Sequence, residues 1–164
     1  MFSDLGALSP LDGRYYSSAK ELNAYFSEAA LMQYRIYVEV EYLLALAKQK
    51  EIRKRLLIDD KEQSKLRKLY QSFDLNAAKE IKEIEKKINH DVKAIEYYIQ
   101  AKTRSSLHPW IHFALTSEDV NNISYSLMWK HALEKVYLPS ALSLQRKLLD
   151  LIREHSKSPM LSLT

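Results

Sequence analysis

Cysteine is absent from this chain and glycine is nearly so. Without cysteine there is no disulfide framework, no Cys-ligated zinc site and no thiol nucleophile. Both glycines, Gly6 and Gly13, fall within the first 13 residues. None occurs from Arg14 to Thr164, where average usage of about 7% would give on the order of ten. That excludes the glycine-rich phosphate loops of α/β nucleotide-binding folds and most tight hairpin turns. Long apolar runs are also missing: nothing approaches the roughly 18 uninterrupted residues of a membrane span. The opening MFSDLGALSPLDGRYY has no basic region followed by an apolar core, so no secretory leader is expected. These absences read as a soluble, cytoplasmic chain.

What is present is typical of a globular protein. The 164 residues are 46% hydrophobic and 28% charged, enough for one modest domain or a piece of a larger one with a real core. Basic residues outnumber acidic ones by 25 to 21, giving a formal charge of +4. The densest basic run, KQKEIRKRLLIDDKEQSKLRK at 48–68, is interleaved with Glu51, Asp59, Asp60 and Glu62 and contains no aromatic residue. It reads as a solvated helical face with i,i+4 pairs, not as a stacking surface for nucleic acid. Neither a nucleic-acid nor a membrane partner is expected.

From residue 17 onward the pattern is helix after helix. Ser18 and Glu21 fit a capping box. Between Ser27 and Lys50, Leu31, Tyr34, Val38, Tyr42 and Ala45 recur at three or four, and a second row of Met32, Ile36, Val40, Leu43, Leu44 and Ala47 makes the apolar surface broad. A charged helix is expected over 61–73. Another is expected from Asn76 as N-cap, with Ile81, Ile84 and Ile88 as its stripe, and a third from Asp91 as cap with Val92, Ile95 and Ile99. SSLHP at 105–109 marks a break before Pro109, Pro139 should end or kink the long helix that begins near Ser117, and Pro159 ends the last one. The expectation is an all-α fold: an N-terminal helical domain over residues 1–110, then the first helices of a long-helix bundle over 111–164. The abrupt finish after Pro159 reads as a cut inside a longer protein.

Polar side chains gather at three helix ends. In SPLDGRYY (9–16), Pro10 and Gly13 suggest a turn that projects Arg14 and Tyr15. That is either an arm packed on a neighbour or an anion site, since guanidinium offers a planar fork of donors. In INHDVKAIEYY (88–98), His90 beside a helix start is either a surface histidine in a capping turn or a donor to a ligand anion. In HFALTSEDVNN (112–122), Thr116 with Asp119 approximates a capping box, and Glu118 and Asp119 complement the helix dipole. Asn121 and Asn122 in the second turn are unexplained by capping. They point to an internal polar network or a ligand nearby, or are solvated on an exposed face. His108 and His112 stand four apart, but Pro109 lies between them and no intervening glutamate completes a metal motif, so no metal site is expected. No nucleophile is paired with a base. The set suits binding of an anionic small molecule better than covalent catalysis.

SPLDGRYY, NHDVKAIEYY and IHFALTSEDVNN, in this order and at this spacing, resemble the N-terminal third of the adenylosuccinate lyase family, within the fumarase/aspartase superfamily. The resemblance covers essentially the whole chain. It implies a β-elimination that releases fumarate from adenylosuccinate, giving AMP, and from the succinylated carboxamide intermediate of purine synthesis. It implies no metal or organic cofactor, an almost entirely helical fold, and a homotetramer with active sites built from several subunits. Residue by residue, Arg14 and Tyr15 match a substrate-contacting pair, Asn89, His90 and Asp91 a second substrate-binding segment, and Thr116 and Ser117 a third. His112 matches a histidine near the site in relatives, and packing beside Phe113 and Leu115 explains it equally well. In the family, the segment resembling LSLT continues with His-Gly-Gln, whose histidine is the general acid, and a later SSxMPxKxNP loop carries the serine taken as base. Neither motif is in this chain, so it is expected to lack lyase activity alone. Its apolar faces, including Leu127, Leu133, Leu144, Leu148 and Leu151, are expected to make it sticky or oligomeric. Two competing readings are a helical interaction module using its 11 tyrosines, and argininosuccinate lyase or fumarase, which DGRY and NHDVKA disfavour.

Overall fold

The computed structural model describes residues 7–159 and 161. The LSLT segment therefore lies, apart from Leu161, outside the described residues. Among these the fold is all-α, with no strand. Two short helices, α1 (Tyr16–Ala19) and α2 (Asn23–Phe26), lead into the long α3 (Glu28–Leu46). Then follow α4 (Asp60–Gln71), α5 (Leu75–Ile88) and α6 (Asp91–Lys102). A 3-10 helix at Ser105–Trp110 connects to α7 (Ser117–Ala132), which passes through a π-helical stretch, Leu133–Tyr137, into α8 (Leu138–His155). Among the described residues no helix is long and apolar enough to cross a membrane.

Helix α3 is the axis of the molecule. Its Met32, Ile36, Val40, Leu43 and Leu44 are buried against Leu66 of α4, Ile81 of α5, Ile95 and Ile99 of α6, and Leu107 and Ile111 beyond them. Helix α7 packs along α3 with a strict four-residue stripe, Val120, Ser124, Met128 and Ala132. Small side chains in that stripe let two helices approach closely. The Ser124 hydroxyl is fully buried there and has no hydrogen-bond partner among the described residues.

The caps show where local chemistry set the boundaries. Ser27 starts α3 by accepting from the Ala30 N–H at 3.1 Å, and Asp59 starts α4 by accepting from Glu62. Three expected caps are displaced. Helix α5 is capped by Asp74, not Asn76: its carboxylate accepts from both the Asn76 and Ala77 N–H groups, and a charged acceptor at the positive helix end outcompetes a neutral amide. Helix α6 is capped by His90, not Asp91, because His90 holds the extended backbone that a cap requires and Asp91 is already the first helical residue. Ser18 forms no capping box. It lies inside α1, since the turn starting at Pro10 runs directly into that helix through the Tyr15 N–H to Pro10 C=O and Tyr16 N–H to Gly13 C=O bonds.

Pro139 does not end the helix. Lacking an N–H, it withholds a bond from the carbonyl four residues earlier, and the chain widens into a π turn just before it. The SSLHP break is itself a 3-10 turn that includes Pro109 and is anchored by buried Leu107. Helix α8 has no buried residue at all.

Candidate functional site

Helices α6 and α7 begin on polar residues, and α3 links the two starts. Asn89 ends α5 in the left-handed region at φ 52°, one of the few conformations a non-glycine adopts there with modest penalty. His90 then caps α6: its Nδ1 accepts from the Lys93 N–H at 3.2 Å. A ring whose Nδ1 accepts carries its proton on Nε2, so this half-exposed imidazole offers a donor outward. Asp91 accepts from the Val92 N–H at 2.8 Å and from Arg35 Nη2 at 2.7 Å. Partial burial pushes its carboxyl up, but the Val92 N–H and the Arg35 guanidinium outweigh this and hold it below the usual aspartate range.

At the α7 start the expected capping box forms in full. Asp119 Oδ2 accepts from both the Thr116 N–H and hydroxyl at 2.7 Å, while the Asp119 N–H points back to Thr116 Oγ1 at 3.4 Å. The main-chain bond from Thr116, then its hydroxyl, holds Asp119 below its usual range. Thr116 therefore spends its hydroxyl proton on the cap. Ser117, half-buried at the first helical position, makes no side-chain hydrogen bond among the described residues and keeps its hydroxyl for another partner.

One of the two asparagines has an internal explanation. Asn121 Oδ1 accepts from Arg35 Nε at 3.0 Å, and its amide donates to Glu118 at 3.3 Å. Arg35, only 5% exposed, thus bridges Asp91 at one helix start to Asn121 in the other helix. Asn122 is exposed and solvated.

His112 belongs to a second buried cluster. Its ring Nδ1 lies 2.5 Å from Glu39 Oε1, its main-chain N–H donates to Glu39 Oε2 at 3.1 Å, and Nε2 is 3.9 Å from Glu96 Oε1. Glu39 is 2% exposed; burial raises its carboxyl above the ordinary range, partly opposed by His112. Glu96 also accepts from Lys93 at 2.8 Å. His112 and Ala114 both adopt left-handed backbone, at φ 60° and 58°, within the loop that leads to Thr116. For alanine this is a strained conformation. His108 turns instead toward the Thr103 carbonyl, so the two histidines four apart face different partners.

Arg14 and Tyr15 stand apart. Both are exposed after the Pro10–Gly13 turn, with the guanidinium 5.3 Å from the Tyr15 ring centre. Among the described residues no side-chain hydrogen bond or ion pair joins them to the α6 or α7 starts. A small cavity is lined by other residues, Tyr34, Tyr37, Tyr70 and His131 among them. The geometry thus links Asn89–Asp91 and the α7 start through Arg35, and no side-chain hydrogen bond among the described residues ties Arg14 or Tyr15 to them.

The family model described as Lyase matches residues 13–164. The chain belongs to this lyase family. Among curated lyases it is similar to the adenylosuccinate lyase of Legionella pneumophila strain Philadelphia 1, at 41% identity over 165 aligned residues that cover 98% of this chain and 36% of that protein. It is 38% identical to the adenylosuccinate lyase of Dictyostelium discoideum, over 99% of this chain and 36% of that protein. It is 40% identical to that of Escherichia coli K12, over 99% and 37% respectively. The chain thus spans little more than a third of the length of these relatives.

Proposed function

We propose that this chain supplies substrate-binding walls of an adenylosuccinate lyase. The observation that carries the reading is the relatives' shared name, at about 40% identity across nearly the whole chain. The site geometry agrees chemically with an anionic succinyl nucleotide. The α6 and α7 starts offer main-chain N–H groups and the positive ends of helix dipoles to carboxylate or phosphate. His90 presents its Nε2–H, Ser117 a free hydroxyl, Asn89 an exposed amide, and Arg14 beside Tyr15 an exposed cation. Thr116 contributes through its main chain, its hydroxyl being committed to Asp119. Asp91 acts as the anchored partner of Arg35.

The reaction is a β-elimination. A base takes a proton from the succinyl carbon next to the one bonded to nitrogen, the electrons form the fumarate double bond, and the C–N bond breaks with its pair moving to nitrogen, which an acid protonates. We assign neither acid nor base to this chain: with its glycines only at positions 6 and 13 it contains no His-Gly-Gln, and it has no SSxMPxKxNP sequence. The 164 residues alone are accordingly inactive as a lyase. The proposal extends to a boundary near residue 110 between an N-terminal helical domain and a bundle domain, to assembly as a homotetramer through α7 and α8, and to a cytoplasmic location.

Adenylosuccinate titrated into 15N-labelled chain tests the binding claim. The amides of Arg14, Tyr15, Asn89 to Asp91, Thr116 and Ser117 should shift together, and a titration that moved none of them would overturn it. Fumarate release by the purified chain, above a control for host enzyme, would overturn the claim of inactivity.

A further inference from the structure

We infer that Arg35 and Glu39 are positioning residues, and that α3 through this pair fixes the spacing between the α6 and α7 starts. The inference rests on the reading of those two starts as substrate walls. Arg35 and Glu39 are four apart, so they share one face of α3. Each is almost fully buried, and each spends its charge outside α3. Arg35 holds Asp91 with Nη2 and Asn121 with Nε, a two-pronged grip from the fixed fork of its guanidinium. Glu39 holds His112 by both ring and main chain.

The second grip bears on the approach to α7. His112 and Ala114 hold left-handed backbone, and such residues persist only where the surroundings over-determine them. The Glu39 carboxylate is that determinant at His112. Released, the loop from Ile111 to Leu115 relaxes, and Thr116 and Ser117 move relative to His90 and Asp91. Merely balancing buried charge would not require the carboxylate to bind a main-chain N–H, and merely stabilising the core would not require Arg35 to span two helices.

Two variants of the whole chain test this. In wild type, 15N NMR of the His112 ring should find the proton on Nδ1. In Glu39→Leu neither the main-chain N–H nor the ring of His112 keeps its partner on α3, so the loop relaxes and the amides of Thr116 to Asp119 shift. Asn121→Ala cuts only the Arg35 link to α7, keeps the buried charges paired, and serves if the Glu39 variant does not fold. Each variant should weaken adenylosuccinate binding by about tenfold, the worth of roughly one misplaced hydrogen bond to a charged group. A wild-type His112 with bare Nδ1, or amides of residues 116–119 that stay in place in both variants, would overturn the positioning role. Shifted amides with unchanged affinity would overturn its link to substrate. If wild type does not bind adenylosuccinate, the functional reading fails, and the ring proton and amide shifts still decide the geometric claim.

Discussion

Helix α8 should drive self-association of the isolated chain, and the strength can be worked from its exposed side chains. Leu133 at the π turn is 42% exposed, and Leu144, Leu148 and Leu151 on α8 are 61, 51 and 40% exposed. On α8 the last three lie at spacings of four and three, so they form one stripe. Burying a leucine fully is worth about 1.5–3 kcal/mol, so the remaining half of each is worth about 1 kcal/mol. Four per copy, doubled in a two-fold contact where the same patch appears on both sides, give about 8 kcal/mol gross. Association costs at least about 4 kcal/mol in lost translation and rotation. The surplus of about 4 kcal/mol corresponds to a Kd near 1 mM, tighter if Tyr137 and Ile152 join.

Sedimentation equilibrium from about 10 µM to about 1 mM should therefore show a weight-average mass rising with concentration. The double variant Leu144→Glu, Leu148→Glu removes two apolar contacts per copy and brings like charges together. It should weaken association by more than about tenfold, the equivalent of roughly 1.4 kcal/mol. Because α8 has no buried residue, neither change touches the core, and the thermal midpoint of the monomer should hold. A wild-type chain that stays monomeric across the whole range would refute the reasoning. So would a double variant that associates as strongly as wild type.

Thr116→Ala should cost about 1 kcal/mol in chemical denaturation, the usual worth of an N-cap. Ser124→Ala should be neutral or stabilising by about 1 kcal/mol in the same assay, because it removes a buried hydroxyl that has no partner. Arg35→Met keeps the packed stem but removes two hydrogen bonds, and should destabilise by roughly 1–3 kcal/mol, less than a fully buried pair because Asp91 can be rehydrated. The loss should shrink in acid: Asp91 is held below its ordinary 3.8, so its contribution is present above that value and disappears as pH falls through the lower folded one. Tyr70, pushed up to about 12 by burial and then by its bond to Glu41, should contribute to the late part of a spectrophotometric tyrosine titration, together with Tyr34 and Tyr98, and Tyr70→Phe should remove its share. Here the folded state keeps a proton that the unfolded chain releases near 10, so stability should fall as pH rises between the two values.

Much of the helical order is legible from apolar spacing, because a long helix with a buried face must repeat at three or four residues whatever its neighbours are. The stripes of α3, α5 and α6 follow that rule: Ile36, Ile81, Ile95 and Ile99 are all deeply buried. Boundaries are less legible because neighbouring polar residues compete for the same N–H groups. Asp74 and Asn76 are both acceptable caps on paper, as are His90 and Asp91, and the winner depends on backbone dihedrals that the residue types alone do not fix. The π turn before Pro139 is a further case. Proline announces a lost bond but not whether the chain ends, kinks or widens.

The polar framework behind the candidate site was written in the same periodicity that reveals the core. Asn89, His90, Thr116 and Ser117 are conspicuous because they break helical patterns; Arg35 and Glu39 are inconspicuous because charged residues in helices are ordinarily solvated. Yet Met32, Arg35, Glu39 and Leu43 stand at spacings of three, four and four, and all four are buried. A charge at a position that the apolar rhythm marks as interior must be paired, since leaving it unpaired in the core costs several kcal/mol. An arginine and a glutamate on one such face therefore predict polar partners arriving from other elements. Asn121, too deep in its helix to be a cap, is one of those partners. The unexplained asparagine and the buried arginine account for each other once helices α3 and α7 are brought together, and the buried glutamate is met by His112.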